Sequence, residues 1–178
     1  MLLKGLYIVV YAILFSLLEI EMEGKYGWAE NMPTPKFFYS FTLYHTIMNI
    51  IVILTIAYSL HFNSSPLEII FYIMAWFLIE DTMWFMLNPH YTIKGYKREN
   101  IWWQGKQEWY LGMPVQNYIG LAAMIVLAFL NKDIYLLYNG IAMSVFIGLV
   151  LYLAPYYHEF HKKTHTEKDL TNKFSKPI

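Results

Sequence analysis

Three short stretches of this chain carry residues whose types and spacing could do chemistry. They are "LEIEMEG" with Glu19, Glu21 and Glu23, "FLIEDTMWFMLNP" with Glu80 and Asp81, and "HEFHKKTH" with His158, His161 and His165. Carboxylates and imidazoles gathered in one place suit zinc or non-haem iron. They can also exchange protons with a substrate. The chain has no Cys, which excludes disulfides and thiolate ligands. If helical, His158, His161 and His165 follow i, i+3, i+7 spacing and form one stripe. The pattern is not H-E-x-x-H, because the second His comes one residue early. On a helix Glu19 and Glu23 lie one turn apart and Glu21 points elsewhere. Glu80, Trp84 and Asn88 share a face, and Asp81 points about 100° away. His45, in "TLYHTIMN", has Asn49 one turn on and Thr42 and Thr46 near it.

The elements that must position these groups are membrane helices. The 178 residues are 57% hydrophobic and 15% charged, against roughly 45–50% and 25% in soluble domains. Crossing a bilayer core takes about 20 apolar residues. The sequence predicts an all-α, polytopic integral membrane protein with five transmembrane helices, at about 2–22, 38–61, 66–88, 115–130 and 134–157. Lys4 would snorkel to the headgroups. "NSSPLE" is a start signal, with Ser65 as cap, Pro66 in the first turn and Glu68 completing a capping box. Pro89 stops the third helix, and the fifth could run on through "HEFHKKTH". Residues 1–165 form a single domain, 89–114 an interfacial loop, and 166–178 a disordered polar tail. A formal net charge of zero points to no nucleic-acid partner.

Five spans put the termini on opposite sides. Of the 13 Lys and Arg residues, only Lys4 and Lys132 fall on the side of the N-terminus. Basic residues stay cytoplasmic, so the N-terminus is expected outside and the C-terminus in the cytoplasm. The same frame sends Glu19, His45, Glu80, Asp81, His158 and His161 to one depth at the cytoplasmic face, from four different helices. The outer side keeps little that titrates beyond His61, Glu68 and Asp133.

Charged groups inside a bilayer are expensive and normally face the bundle interior. The expected metal ligands are Glu19, His45, Glu80, His158 and His161, holding one or two ions of zinc or non-haem iron. Asp81 or Glu23 would act as general base or support the ligands. Trp84, Asn88, Trp102 and Trp103 would line the substrate or form a lid. Glu21, His90, Glu108 and His165 are further polar groups with no assigned part. Each feature also has a plainer account. A carboxylate can pair with a loop Lys or Arg, His45 can be a satisfied polar side chain, and "NIWWQGKQEWYLGMP" can be an aromatic belt in the headgroup plane.

This layout is similar in outline to membrane lipid enzymes that gather His and acidic residues at one membrane face. The membrane zinc hydrolases related to alkaline ceramidases and the di-iron lipid desaturases are examples. The likeness covers the placing of the site alone. The short-spaced His boxes of the desaturases are absent, "HEFH" being the one dense His patch. The Ser and regularly spaced His pair of the ceramidase-like pattern have no counterpart, so no residue role is carried over.

The expectation is therefore a metal-dependent membrane enzyme of an inner or plasma membrane, with its site facing the cytoplasm. It would act on a lipid or other apolar substrate by hydrolysis or oxidation, and an oligomer is compatible with the sequence. The rival is a non-enzyme, either an ion or proton carrier or a small subunit of a larger membrane complex.

Overall fold

A computed structural model describes residues 2–23, 36–38, 41–101 and 107–164. The chain is nearly all helical. The long helices are α1 (Leu2–Glu23), α2 (Leu43–Leu60), α3 (Pro66–Leu87), α5 (Val115–Leu130) and α6 (Ile134–Thr164), with a single turn α4 (Thr92–Gly95) after α3. Two small antiparallel hairpins complete it. Strand β1 (Lys36–Phe38) pairs with β2 (Phe41–Thr42), and β3 (Trp109–Tyr110) with β4 (Met113–Pro114). Helices α1, α2, α3 and α6 are long and apolar enough to cross a membrane, while α5, with 16 residues, is a shorter apolar helix.

Two boundaries differ from the sequence expectation. The second helix begins at Leu43 instead of 38, because 36–38 and 41–42 are drawn into the β1–β2 pair. Thr42 and His45 then form a capping box around the new start. The last helix does continue, through Pro155 to Thr164, and so carries His158 and His161 on regular helix. The tail expected at 166–178 lies outside the described residues.

Helix α3 is the centre of the bundle. It packs most extensively on α1, then on α5, and also touches α2 and α6. Its start is written in sequence: Pro66 occupies the first turn, and the Ser65 hydroxyl accepts the Glu68 backbone N–H at 3.1 Å. Phe71, Tyr72, Ala75 and Trp76 are all but fully buried. Trp76 meets α1 through Phe15 and Tyr11, at ring separations of 5.1 and 5.8 Å. Leu54, Tyr58, Ile119, Phe129, Ile141 and Tyr152 are exposed on the outside of the bundle. Soluble monomers rarely leave so much contiguous apolar surface bare, and the pattern is that of helices facing lipid.

The helix ends segregate. At one end the Lys4 ammonium donates to Glu68 Oε1 (2.8 Å), Ser64 Oγ (2.8 Å) and the Asn63 carbonyl (2.5 Å). At that same end Ser65 reaches Asn131 in the α5–α6 turn. A single ammonium thus ties the start of α1 to the α2–α3 turn. Glu68 is 5% exposed, and removing one partner of a buried ion pair strands the other. Lys4→Met is expected to destabilise the bundle by about 1–2 kcal/mol, discounted because Lys4 is partly exposed. Thermal unfolding in detergent reads this, and Glu68→Gln made beside it should recover part of the loss.

The β3–β4 hairpin carries a local backbone penalty. Its turn residues Leu111 and Gly112 both have positive φ, 44° and 80°. Two left-handed residues in a two-residue turn match the strand twist, and Asn-Gly is the favoured pair there. Leucine in the left-handed region costs roughly 1–2 kcal/mol, and this Leu111 is 80% exposed. Leu111→Asn should raise the unfolding midpoint, by an amount equivalent to about 1 kcal/mol.

Candidate functional site

The acids converge where α1 and α3 cross, at the end of the bundle away from Lys4. Glu19 on α1 and Glu80 on α3 stand within side-chain hydrogen-bonding reach of each other. Glu80 is buried, and Glu19 and Asp81 are partly buried. Ser16, one turn before Glu19, is fully buried, and its hydroxyl lies 2.9 Å from the Ala12 carbonyl and 3.2 Å from that of Glu80. This close approach is what sets the two helices together at the depth of the carboxyls. Two carboxylates that meet in a region of low dielectric cannot both ionise cheaply, and a shared proton is the least costly occupant.

Asp81 also joins the cluster, within electrostatic range of Glu19. On the helix its side chain leaves about 100° from that of Glu80, so α3 alone would separate them. Glu19, arriving from α1, is the group common to both. Asp81 is also within electrostatic range of Tyr96, a loop residue that the sequence reading did not single out. The buried Tyr96 hydroxyl is within hydrogen-bonding reach of Thr82 and Asn117. Asn117 in turn points an amide at Thr82 Oγ1, at 3.5 Å. Burial first, and then the charge of Asp81, push the Tyr96 phenol up to about 12. Tyr96 therefore remains a neutral O–H donor beside Asp81 throughout the physiological range. Nothing in "KGYKREN" marks this tyrosine in the sequence; only the fold of the loop back onto α3 brings it to the acids.

The histidines are distributed differently. His158 is buried on α6 and donates from Nε2 to the Leu87 carbonyl, at 2.9 Å. That carbonyl is one of the last of α3 and has no partner within its own helix. His161 lies 3.4 Å from the Glu21 carboxylate and stacks edgewise against Tyr157, with centroids 5.9 Å apart. His45 accepts the Thr42 backbone N–H on Nδ1, at 3.2 Å, with the Thr42 hydroxyl 2.9 Å from the same nitrogen. Each imidazole of the expected ligand set thus sits at a helix end: His45 at the start of α2, His158 at the end of α3, His161 beside the end of α1.

Among the described residues, no three His, Asp or Glu side chains gather closely enough to hold a metal ion. The five expected ligands fall into the Glu19–Glu80 pair, the His158 cap, the His161–Glu21 pair and the His45 cap. Of the residues expected at the substrate, Trp84 is buried against Phe85 and Tyr91. Its indole N–H, like that of Trp76, finds no protein acceptor. Both indoles flank Glu80 at i−4 and i+4 on the face of α3. Asn88 is fully buried and accepts the His90 backbone N–H on Oδ1, at 3.0 Å, forming the turn that ends α3. The Glu23 side chain, Trp102, Trp103 and His165 lie outside the described residues.

What this arrangement can do is hold and pass protons. Two hydrogen-bonded groups lie near each other between α1, α3, α5 and the loop, Glu19 with Glu80 and Tyr96 with Thr82 and Asn117, and Asp81 is within electrostatic range of both. Apolar core surrounds them, with Ile79 and Met83 of α3 buried on either side of the acids. No family model, curated protein or solved structure matches the chain.

Proposed function

We propose that this protein is an integral membrane enzyme of five spans. Its N-terminus is outside and its acidic end faces the cytoplasm of an inner or plasma membrane. The Glu19–Glu80–Asp81 cluster is its acid–base centre, and a lipid or other apolar molecule arriving from the bilayer is its substrate. The observation that carries this is the hydrogen-bonding approach of Glu19 to Glu80 with Asp81 beside them. A membrane scaffold has no use for three acids at one depth, since each costs free energy to insert. In the acid–base form one carboxyl of the pair gives its proton to a leaving group or carbonyl while its neighbour accepts one, and the Tyr96 phenol, held by Thr82 and Asn117, stays neutral within electrostatic range of Asp81. Hydrolysis of an ester or amide bond begins with such a transfer, with water as the nucleophile and the leaving group taking the proton; oxidation would need an electron acceptor in addition.

The residue types also accommodate a metal-dependent form of the same enzyme, with zinc or non-haem iron on Glu19, His45, Glu80, His158 and His161. The geometry favours the proton form. Each of the three histidines is committed to a different helix end, and drawing them to the Glu19–Glu80 pair would uncap α2 and α3. The second reading, a proton carrier, draws on the same carboxyl cluster. It is disfavoured at the far end of the bundle, where the buried polar groups are few: the Tyr72–Asn139 pair, with Asn139 Nδ2 donating to the Tyr72 hydroxyl at 3.0 Å, and the Lys4–Glu68 pair.

The experiment compares the membrane lipids of cells making the parent protein with those of cells making Glu80→Gln, and measures metals on the purified proteins by mass spectrometry. A lipid species that changes with the parent and not with the variant supports the enzyme. Near-stoichiometric zinc or iron in the parent, lost in the variant, would replace the proton form with the metal form. Identical lipid profiles, together with proton leak through vesicles holding the parent but not the variant, would move the protein to the carrier class.

A further inference from the structure

Two hollows open along α5, and they differ in chemistry. The first is a recess of about 480 Å³ lined by Arg98, Glu108, Trp109, Tyr110, Val115 and Tyr118. It lies where the loop meets the start of α5, at the acidic end of the bundle. The second is a cleft of about 680 Å³ between α3, α5 and α6, with Phe71, Ile79, Leu121, Ile125, Gly140 and Ile147 among its walls. It is almost wholly apolar. Its size falls within the range of ligand sites, about 300–1,000 Å³.

The two hollows share a helix face. Tyr118 lines the recess, and Leu121 and Ile125 line the cleft; these positions follow i, i+3, i+7 along α5. From Val115 to Ile125 the helix rises about 15 Å, which is half of the roughly 30 Å hydrocarbon thickness of a bilayer. The pair therefore presents a charged, aromatic mouth at one membrane surface and an apolar slot reaching down through one leaflet. Trp and Tyr around a polar mouth are what the headgroup layer selects.

We infer that these hollows together form a binding site for one membrane phospholipid, with its phosphate at Arg98 and one acyl chain in the slot between α3, α5 and α6. Arg98 supplies the cation that a phosphodiester requires, in a form suited to bidentate contact. Glu108 in the same recess adds a carboxylate, which favours a headgroup carrying an amine over one with a second negative charge. The slot is not filled by protein and is too apolar to hold water stably. In a bilayer its natural content is hydrocarbon. Van der Waals contact with shaped walls, and not hydrophobic transfer, then holds the chain, because the surrounding lipid is equally apolar. This site is independent of the carboxyl chemistry proposed above.

Gly140 provides a clean probe. Gly140 lines the slot and a Cβ added there meets nothing within 4 Å, so Gly140→Leu starts from open space and extends into the slot, and it strengthens the helix. The parent, Gly140→Leu and Arg98→Gln are purified in mild detergent, washed in a delipidating one, and weighed intact by native mass spectrometry. The expected result is a single phospholipid retained by the parent, with occupancy reduced about tenfold in both variants and thermal unfolding of Gly140→Leu unchanged or improved. A parent stripped bare, or Gly140→Leu holding as much lipid as the parent, overturns the inference. Loss in Arg98→Gln alone, with inorganic phosphate bound equally by parent and Gly140→Leu, would reduce the site to an anion recess and overturn it as well.

Discussion

Glu80→Gln is expected to lower turnover by about 10²–10⁴-fold, the usual contribution of a positioned general acid or base, while leaving the fold intact. The amide is nearly isosteric with the carboxyl and still offers Glu19 a hydrogen-bond partner, so Glu19 is not stranded. It cannot release or accept a proton, and the shared proton of the pair is lost with it. Stability should change by less than about 1 kcal/mol and could rise, because a buried charge has been replaced by a neutral group. Turnover is measured on the lipid species identified in expressing cells, and stability by thermal unfolding in detergent. Full activity in the variant would remove the carboxyl pair from the mechanism. Tyr96→Phe in the same assay separates the O–H that Tyr96 shares with Thr82 and Asn117 from packing: the ring remains and only the O–H is lost.

The largest effect on stability is expected at Trp76→Ala. Trp76 is 1% exposed and is the largest side chain at the α1–α3 interface. In a soluble core such a truncation costs about 3–5 kcal/mol. Part of that is transfer out of water, which falls away when the alternative surroundings are lipid. The part due to the empty space and the lost contacts with Tyr11 and Phe15 remains, giving about 2–3 kcal/mol. The same interface positions Glu19 against Glu80, so activity should fall along with the unfolding midpoint. A Trp76→Phe variant, which keeps an aromatic ring between Tyr11 and Phe15, should restore most of both. Wild-type stability in Trp76→Ala would mean that α1 is held on α3 by Ser16 and the ends of the helices, not by this aromatic cluster.

The His side chains show why residue type alone does not fix a partner. An imidazole near carboxylates reads as a ligand from sequence, because ligand and cap use the same nitrogen atoms. His158 donates to a helix-terminal carbonyl and His45 completes a capping box. Both roles follow from the orphan backbone groups that every helix end leaves, and in lipid those groups have no water to turn to. A residue such as His158, placed in sequence far from the helix it caps, carries no local sign of that task.

The sequence by itself determined the elements. Length, apolarity, and the Ser65-Pro66 and Asn88-Pro89 signals place α1, α3 and α5 within a residue or so of where they lie, because helix formation in an apolar medium depends on local hydrogen bonds and local composition. It also separated the acidic end from the Lys4 end, since a chain that crosses repeatedly must alternate. Tertiary structure alone decided the rest. Asp81 and Glu80 diverge on their own helix, and only the approach of Glu19 from α1 makes them one cluster. Tyr96 enters that cluster only because the loop after α3 folds back over it. The apolar cleft along α5 exists because α5 and α6 both lean on α3 and touch each other little, a matter of packing geometry that no stretch of sequence records.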